Sequence, residues 1–297
     1  MGKEIPMKNF KVAIVDADSI LYSCAFSLQD TVHTVGECEY SDIKEARVES
    51  EETNIPIETI TEVLGDINDA VLCYRDHIDN IKEDTGAREV ISYTGSSEGN
   101  FRKDIATIKP YKGNRKGPDP ELLQPLKEYL ISSGELLRAD SMLEADDQVI
   151  IEFRKLKKEL GEDKVVLCVI DKDAKQEPGH HYNFNTGEFT YLEPIDSIRY
   201  FYTQLLIGDS IDNILGLYKI GAKNALVKHL YELEDELEMF KFIYSEYTKR
   251  FGNYATTFIA ETFVLLYMLR SPDITEGVFK VRQLLEAISE KADKEEE

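Results

Sequence analysis

The stretch that decides the fold is Phe10 to Ser19, FKVAIVDADS, in which a short apolar run ends on aspartates. Val90 to Tyr93 (VISY) and Val165 to Ile170 (VVLCVI) are similar runs, and Asp171 follows the second. Apolar strands without alternation, separated by helical segments, are typical of a parallel sheet covered on both faces. We therefore predict an α/β fold with a mostly parallel central sheet flanked by helices. Because ligands of such sheets bind beyond the carboxyl ends of the strands, we expect a site near Asp16 and Asp171.

The remaining segments set the predicted organisation of the chain. Helical spacing runs from Ile57 to Ile81 and from Glu121 to Leu137. Strand signals fade from about Asp196, so we predict one domain over residues 1–195 and a smaller, mainly helical domain over residues 196–297. His180 and His181 lack Cys or His partners at zinc-ligand spacing and are interpreted as a loop pair. The glycines at 95–99 and 113–117 are interpreted as loops as well.

Composition excludes several classes of protein. The 297 residues are 42% hydrophobic, too many for a disordered chain, and no apolar run approaches the roughly 18 residues that span a bilayer. The N-terminal residues lack the apolar stretch of a signal peptide. The four cysteines are widely scattered, and we expect free buried thiols in a soluble, cytoplasmic protein.

The charge is distributed unevenly. The formal net charge of −22 argues against a nucleic-acid partner, because polyanions repel one another. Eleven acidic residues lie between Asp30 and Asp66, against Lys44 and Arg47 alone, which predicts an exposed acidic insertion. The charge reverses in residues 101–116, FRKDIATIKPYKGNRK, where six basic side chains accompany one acid. Tyr111 lies inside this basic segment, and aromatic rings among cations are typical of sites that hold single strands.

Four short acidic segments are flanked by apolar residues, at 15–19, 143–147, 170–173 and 208–213. Glu144 and its neighbours are expected in the first turn of a helix, and Asp209 and Asp212 are expected to share a helical face. Helix capping explains any one segment equally well. If all four converged, their carboxylates would repel one another unless cations lay among them. Oxygen ligands suit Mg²⁺ or Mn²⁺, and two such ions form the clamp for phosphodiester hydrolysis.

A second signal for nucleic-acid binding follows the last acidic segment. Residues 220–223, Ile-Gly-Ala-Lys, are predicted to begin an amphipathic helix. A glycine turn that leads into a helix exposes backbone N–H groups, which bind phosphate without reading bases.

The order of these motifs resembles the 5′-nuclease family, which includes flap endonucleases and phage 5′→3′ exonucleases. The matched motifs are Val-Asp, Phe-Arg-Lys-Asp with Tyr-Lys-Gly-Asn-Arg, Glu-Ala-Asp-Asp, Asp-Lys-Asp, Gly-Asp-x-x-Asp-Asn and Ile-Gly-Ala-Lys, over about residues 11–230. Residues 171–179 and 182–187 are most similar to the phage exonuclease branch, for which the compartment would be the host cytoplasm.

The resemblance implies a PIN-like nuclease domain followed by a helix–three-turn–helix domain that binds duplex DNA. It implies metal ligation, by two Mg²⁺ or Mn²⁺ ions, through Asp16, Glu144, Asp146, Asp147, Asp171, Asp173, Asp209 and Asp212. It places Lys112 and Arg115 beside the scissile phosphate as catalytic residues. Together with the basic segments it implies DNA contacts by Arg102, Lys103, Lys109, Lys116, Lys219, Gly221 and Lys223. A potassium ion is implied near residues 216–221.

Two positions depart from the family pattern. Many relatives have an aspartate where this chain has Gly95, so one carboxylate of the metal site is missing. Lys219 stands where a glycine is common, and lysine tolerates positive φ less well than glycine does.

These features predict a divalent-metal-dependent 5′→3′ DNA exonuclease, with flap endonuclease or RNase H-type activity as further activities of the family. A catalytically weak DNA-binding protein of the same fold is the alternative that Gly95 favours. An acidic regulator that binds proteins through residues 30–66 would explain the charge but not the ordered motifs. The choice between exonuclease and flap endonuclease depends on whether the segment after Lys116 forms an arch, and the oligomeric state stays open.

Overall fold

The structure is a computed structural model that describes residues 9–114, 117–217, 220–221 and 223–295. It forms two compact units. The first unit contains the chain up to Asp16, residues 81–116 and residues 137–297, and the second contains residues 17–80 and 117–136. The sheet strands end at Leu192, and the domain boundary near residue 195 stays a prediction.

Eleven strands and eleven α-helices are present in the described residues. The strands are β1 (Val12–Asp16), β2 (Gln29–Val35), β3 (Cys38–Tyr40), β4 (Ile57–Val63), β5 (Glu89–Thr94), β6 (Leu137–Arg138), β7 (Val165–Cys168), β8 (Gly179–Asn183), β9 (Glu188–Leu192), β10 (Gly208–Asp209) and β11 (Ile214–Leu215). The helices are α1 (Asp18–Phe26), α2 (Ile43–Thr53), α3 (Ile67–Thr85), α4 (Phe101–Ile105), α5 (Leu123–Ser132), α6 (Ala145–Leu160), α7 (Pro194–Ile207), α8 (Ala225–Leu230), α9 (Glu236–Phe251), α10 (Ala255–Leu266) and α11 (Glu276–Glu295).

The first unit is built on a six-stranded sheet in the order β6-β5-β1-β7-β8-β9. All neighbours are parallel except β8 and β9, which confirms the predicted mostly parallel sheet. The centre of β1 is completely buried, as expected of a strand that helices cover on both faces. Because β1 and β7 are parallel neighbours, the chain leaves both strands at the same edge of the sheet.

Two hydrophobic clusters support this unit. One joins Ile14 of β1 and Leu167 of β7 to Phe153 of α6. The other fills the helical region after the sheet, where Phe201 of α7 packs edge-to-face on Phe263 of α10 at 4.7 Å between ring centroids. No helix among the described residues is long and apolar enough to cross a membrane.

The second unit contains an antiparallel sheet in the order β3-β2-β4. Residues 57–63 were predicted to be helical, and this is wrong, since they form β4. Their sequence, IETITEV, is rich in β-branched side chains, which favour a strand, and pairing with β2 outweighs the helical spacing. The acidic residues 30–66 thus form a folded, largely exposed sheet and helix.

Three local predictions are corrected in the first unit. His180 and His181 lie on β8 and not in a loop. Asp209 and Asp212 do not share a helix, because α7 ends at Ile207 and the chain turns back through β10 and β11. The helix expected from residue 220 begins at Ala225, where Asn224 caps it through Leu226 N.

Candidate metal centre and nucleic-acid interface

The predicted site begins at the carboxyl edge of the first unit's sheet. Asp16 is the last residue of β1 and is partly buried. Asp171 follows β7 and caps a short 3₁₀ helix by accepting a hydrogen bond from Asp173 N at 2.9 Å. Gly95 directly follows β5, the other neighbour of β1. The structure therefore places two predicted acids, and the glycine that replaces a third, at the ends of three adjacent strands.

Three acids lie together at the start of α6, as the sequence predicts. Glu144 is the N-cap in an extended conformation, and Asp146 and Asp147 occupy the first turn. Carboxylates are stabilised there by the positive end of the helix dipole. Among the described residues, these three are the only members of the predicted set that have oxygens within 4.8 Å of one another as a group.

Asp147 forms a buried ion pair. Both of its oxygens accept hydrogen bonds from the Arg102 guanidinium, at 2.5 and 2.8 Å, and Oδ1 also accepts one from Leu269 N at 3.0 Å. Arg102 and Asp147 are 1% and 0% exposed. The assignment of Arg102 to the DNA contacts is therefore wrong, because a buried guanidinium cannot reach a phosphate. Asp147 is likewise held in place by Arg102 and Leu269, while one of its oxygens lies within 4.8 Å of oxygens of Glu144 and Asp146.

Lys112 reaches the carboxylates from the basic segment. Its Nζ donates to Glu144 Oε1 and lies 3.7 Å from Asp212 Oδ2. The backbone at Lys112 has φ of 53°, an uncommon left-handed conformation for a lysine, and Lys112 N donates to Asp212 O at 2.9 Å. Local backbone geometry thus fixes the side chain among the acids.

Tyr111 has a different role from the predicted one. Its ring is 7% exposed, so the stacking of a base on it is excluded in this conformation. The hydroxyl lies 2.8 Å from Glu144 Oε2 and 3.0 Å from Asp212 Oδ2 and joins the two carboxylates. Tyr111 therefore positions two predicted ligands.

The turn that carries Asp209 and Asp212 depends on two glycines. At Gly208, which has φ of +71°, a Cβ would lie 2.6 Å from Ile214 O. At Gly216 a Cβ would lie 2.7 Å from Leu206 O. The close pairing of β10 and β11 therefore requires glycine at both positions. Within the turn, Asp209 Oδ1 accepts a hydrogen bond from Ile211 N at 2.7 Å.

A second group of acids surrounds Lys172. Its Nζ lies 2.5 Å from Asp209 Oδ2 and 3.7 Å from Asp173 Oδ1. Gln204 Nε2 donates to Asp173 Oδ1 at 2.7 Å, which anchors this carboxylate to α7. Lys172 thus holds together acids that come from the 3₁₀ helix and from the β10–β11 turn.

Burial and neighbouring charges shift the pKa values of two acids at the start of α6 and of Lys112. Burial and the charges of Glu144 and Asp147 raise the pKa of Asp146 well above its usual range. At Lys112 burial lowers the pKa, but the charges of Glu144, Asp146 and Asp212 more than offset this and raise it. At Glu144 burial acts to raise the pKa, and the charges of Lys112 and Arg102 lower it overall.

Burial and like charges also shift the pKa of an acid in the group around Lys172. Burial and the charge of Asp171 raise the pKa of Asp173 to about 6. The charge of Asp212 contributes to this rise as well, so Asp212 lies near both groups. Carboxylate oxygens that repel one another are the donor set that hard divalent cations prefer, and Lys112 and Lys172 supply balancing positive charge among them here. The residues present therefore fit Mg²⁺ or Mn²⁺.

The remaining predicted DNA contacts lie on exposed backbone or side chains. Lys103, Lys109, Gly221 and Lys223 are all exposed, as a phosphate contact requires. Arg115, Lys116 and Lys219 lie outside the described residues. The turn expected to bind potassium is described only in part, at residues 216–217 and 220–221.

Sequence reasoning missed two residues of the site, Tyr111 as a positioning group and Lys172 as a cation among the acids. Lys172 lies between two matched aspartates, and that position was the available signal. The role of Tyr111 left no such signal, because its partners are 33 and 101 residues away along the chain.

Comparison with known proteins identifies a relative in sequence. A curated protein of Buchnera aphidicola subsp. Schizaphis graminum, named 5′-3′ exonuclease, is 30% identical over 182 residues. The match covers 54% of this chain and 62% of that relative, so the chain spans somewhat less than two thirds of the relative's length. No family model matches the chain.

The fold has counterparts among solved structures. The T5 D15 protein, co-crystallised with metal ions, superposes with a TM-score of 0.50 at 17% sequence identity. The superposition covers 93% of this chain and 98% of the T5 protein. At this identity the likeness concerns the fold alone, a mostly parallel sheet with flanking helices followed by a helical region. The chain therefore resembles the 5′-nuclease family in sequence and in fold, as the order of its motifs predicts.

Proposed function

We propose that the protein is a divalent-metal-dependent 5′→3′ DNA exonuclease that hydrolyses phosphodiester bonds. The observation that carries this proposal is the contact of Lys112 with Glu144, beside Asp146 and Asp212, in a partly buried group of acids. The name of the curated relative supports the polarity, and the motif order supports the substrate class. Flap endonuclease and RNase H-type activities are finer proposals for the same site.

Seven of the eight predicted acids would hold Mg²⁺ or Mn²⁺. These are Asp16, Glu144, Asp146, Asp171, Asp173, Asp209 and Asp212, without Asp147. A pair of bound ions would supply an activated water and stabilise the leaving oxygen. We further propose that this site holds two divalent ions and that a potassium ion binds at the turn of residues 216–221.

The chain's own residues bind and orient the substrate. Lys112 carries a positive charge into the acidic group, and the same ammonium would stabilise negative charge that develops on a phosphate there. Arg115 would assist from the same segment. Lys103, Lys109 and Lys223 are exposed cations that would neutralise DNA phosphates, at which binding is independent of base sequence.

A cleavage assay tests this function. Blunt duplex, 5′-flap and RNA–DNA hybrid substrates are compared in Mg²⁺, in Mn²⁺ and after chelation. We expect metal-dependent release from the 5′ end, and its loss in Glu144→Gln and Asp171→Ala. Glu58→Gln is the matched control, since it removes an exposed acid on β4 of the second unit. Hydrolysis that persists in both site variants, or that is absent in the wild type, contradicts the proposal.

Gly95 favours a second candidate, a DNA-binding protein of this fold with little catalysis. It lies at the end of β5, where many relatives of the family have a carboxylate. In this case the chain binds duplex DNA without metal and does not cleave it. Gly95→Asp separates the candidates, because restoration of cleavage by this variant assigns the loss to that carboxylate.

A further inference from the structure

Two cysteines and a histidine lie together in the second unit, apart from the acids of the first. Cys73 and His77 are one turn apart on α3 and share a face of that helix. Cys24 lies near the end of α1. The sulfur atoms and a ring nitrogen of these three residues lie within 4.8 Å of one another. We propose that Cys24, Cys73 and His77 form a binding site for a thiophilic divalent cation, of which Zn²⁺ is the best fit.

The donor types select the metal. Thiolate and imidazole ligands bind Zn²⁺ in tetrahedral sites, with bonds of about 2.3 Å to sulfur and about 2.0 Å to nitrogen. In such a tetrahedron the ligand atoms are roughly 3.5 to 3.8 Å apart. A group within 4.8 Å therefore reaches this geometry through small rotations of the side chains. The Mg²⁺ expected at the carboxylates is excluded here, because it prefers oxygen ligands.

The burial of the three residues fits a site with an entrance. Cys24 is buried, Cys73 is half-buried and His77 is exposed. A cation can thus enter from the side of His77, and water or a neighbouring carboxylate can complete the coordination. Asp76 adds a negative charge that acts on Cys24.

The negative charge that two neighbouring thiolates would carry also favours a cation between them. Both thiols lose their protons when a metal binds, and the positive charge of the metal offsets the repulsion between the sulfurs.

Two close thiols also suit a disulfide, but the third residue distinguishes the two possibilities. A disulfide uses only the sulfurs and leaves the position of His77 unexplained. A metal site uses all three, and the spacing of Cys73 and His77 places their side chains on one face of α3. The observations therefore favour the metal.

Cobalt spectroscopy on the full chain tests the proposal. The reduced protein is titrated with Co²⁺, and a near-ultraviolet charge-transfer band from sulfur to cobalt reports thiolate ligation alone, independent of carboxylate sites. We expect the band in the wild type and in Cys38→Ser, the matched control at an exposed cysteine on β3. It should disappear in Cys73→Ser, and added Zn²⁺ should displace it in the wild type.

A second variant avoids the effects of core mutations. His77→Ala alters an exposed residue, and it should weaken Zn²⁺ binding by at least about 100-fold, since even outer partners of a metal ligand contribute 10- to 100-fold. Melting curves recorded without metal check that both variants fold. A wild type without the band overturns the proposal, and so does a band that survives Cys73→Ser. The same holds if the only thiol chemistry found is a Cys24–Cys73 disulfide.

Discussion

Two regions of this protein are rich in acids, and they differ in the burial and in the contacts of those acids. Residues 30–66 carry eleven acids on a largely exposed sheet and helix, where all except the half-buried Glu49 are exposed to water. The acids around the start of α6 are fewer, but they are enclosed by buried side chains and contact Arg102, Tyr111 and Lys112. Burial and fixed cations therefore distinguish a candidate site from an acidic surface, whereas the density of acids does not.

The pKa values express the same difference. In the exposed region, backbone N–H groups of Asp69 and Asn68 lower the pKa of Asp66, an ordinary effect at a helix start. At α6, burial and neighbouring acids raise the pKa of Asp146 well above its usual range. A group held against its preferred ionisation is a candidate for function, because a ligand that brings positive charge relieves the cost.

The largest expected effect concerns the buried ion pair. Arg102→Met leaves Asp147 charged and buried without a partner, and we expect the free energy of unfolding to fall by about 3–5 kcal/mol. The double variant Arg102→Met/Asp147→Leu should recover most of this loss, because a buried pair can be replaced by apolar side chains. Urea unfolding measures both. If the single variant were as stable as the wild type, burial would not distinguish the acids at α6 from the exposed acids.

The next effect is a pH dependence that arises from His181. This histidine is 5% exposed, and burial lowers its pKa from 6.5 to about 4. Below pH 6.5 the unfolded chain binds a proton that the folded chain does not, so stability falls as the pH drops from about 6.5 to about 4. The difference corresponds to about 3 kcal/mol.

His181→Gln removes this titration and provides the measurement. Urea unfolding of both proteins at pH 7 and at pH 4 gives the loss on acidification, which should be smaller in the variant by about 3 kcal/mol. Comparing losses cancels the titration of the carboxylates. Equal losses in the two proteins would show that His181 does not titrate as a buried group.

A somewhat smaller effect is expected on the reaction. Asp146→Asn replaces a proposed metal ligand with a neutral group of similar size, and it should lower the rate of DNA cleavage by at least about 100-fold, or about 2.7 kcal/mol. Glu62→Gln changes an exposed acid on β4 and should leave the rate unchanged. Similar rates for the two variants would mean that the enclosed acids act no differently from the exposed ones.

The smallest effect is expected in the exposed acidic region of residues 30–66. Glu51→Gln/Glu52→Gln removes two exposed charges from α2, and the free energy of unfolding should change by less than about 0.5 kcal/mol. Urea unfolding at low salt is the most sensitive measurement. A change of several kcal/mol would reveal a structural role for the acidic region that its exposure does not suggest.

The sequence by itself determined the parts of this protein that depend on local patterns. Continuous apolar runs predicted β1, β5 and β7, and the acids after Leu143 predicted the start of α6. Both predictions succeed because strand burial and helix capping are reflected in the pattern of a few consecutive residues. The order of the motifs, which predicts the family resemblance, is also a property of the sequence alone.

Only the tertiary structure decided which of those residues face solvent and which face one another. Arg102 looked like a DNA contact because it lies in a basic segment, yet it binds the carbonyl of Leu265, 163 residues away. Residues 57–63 had helical spacing, yet pairing with β2 makes them a strand. Burial and long-range pairing depend on segments that are distant along the chain, so no local pattern contains them. For the same physical reason, Cys24 and Cys73 looked scattered in the sequence and meet only in the fold.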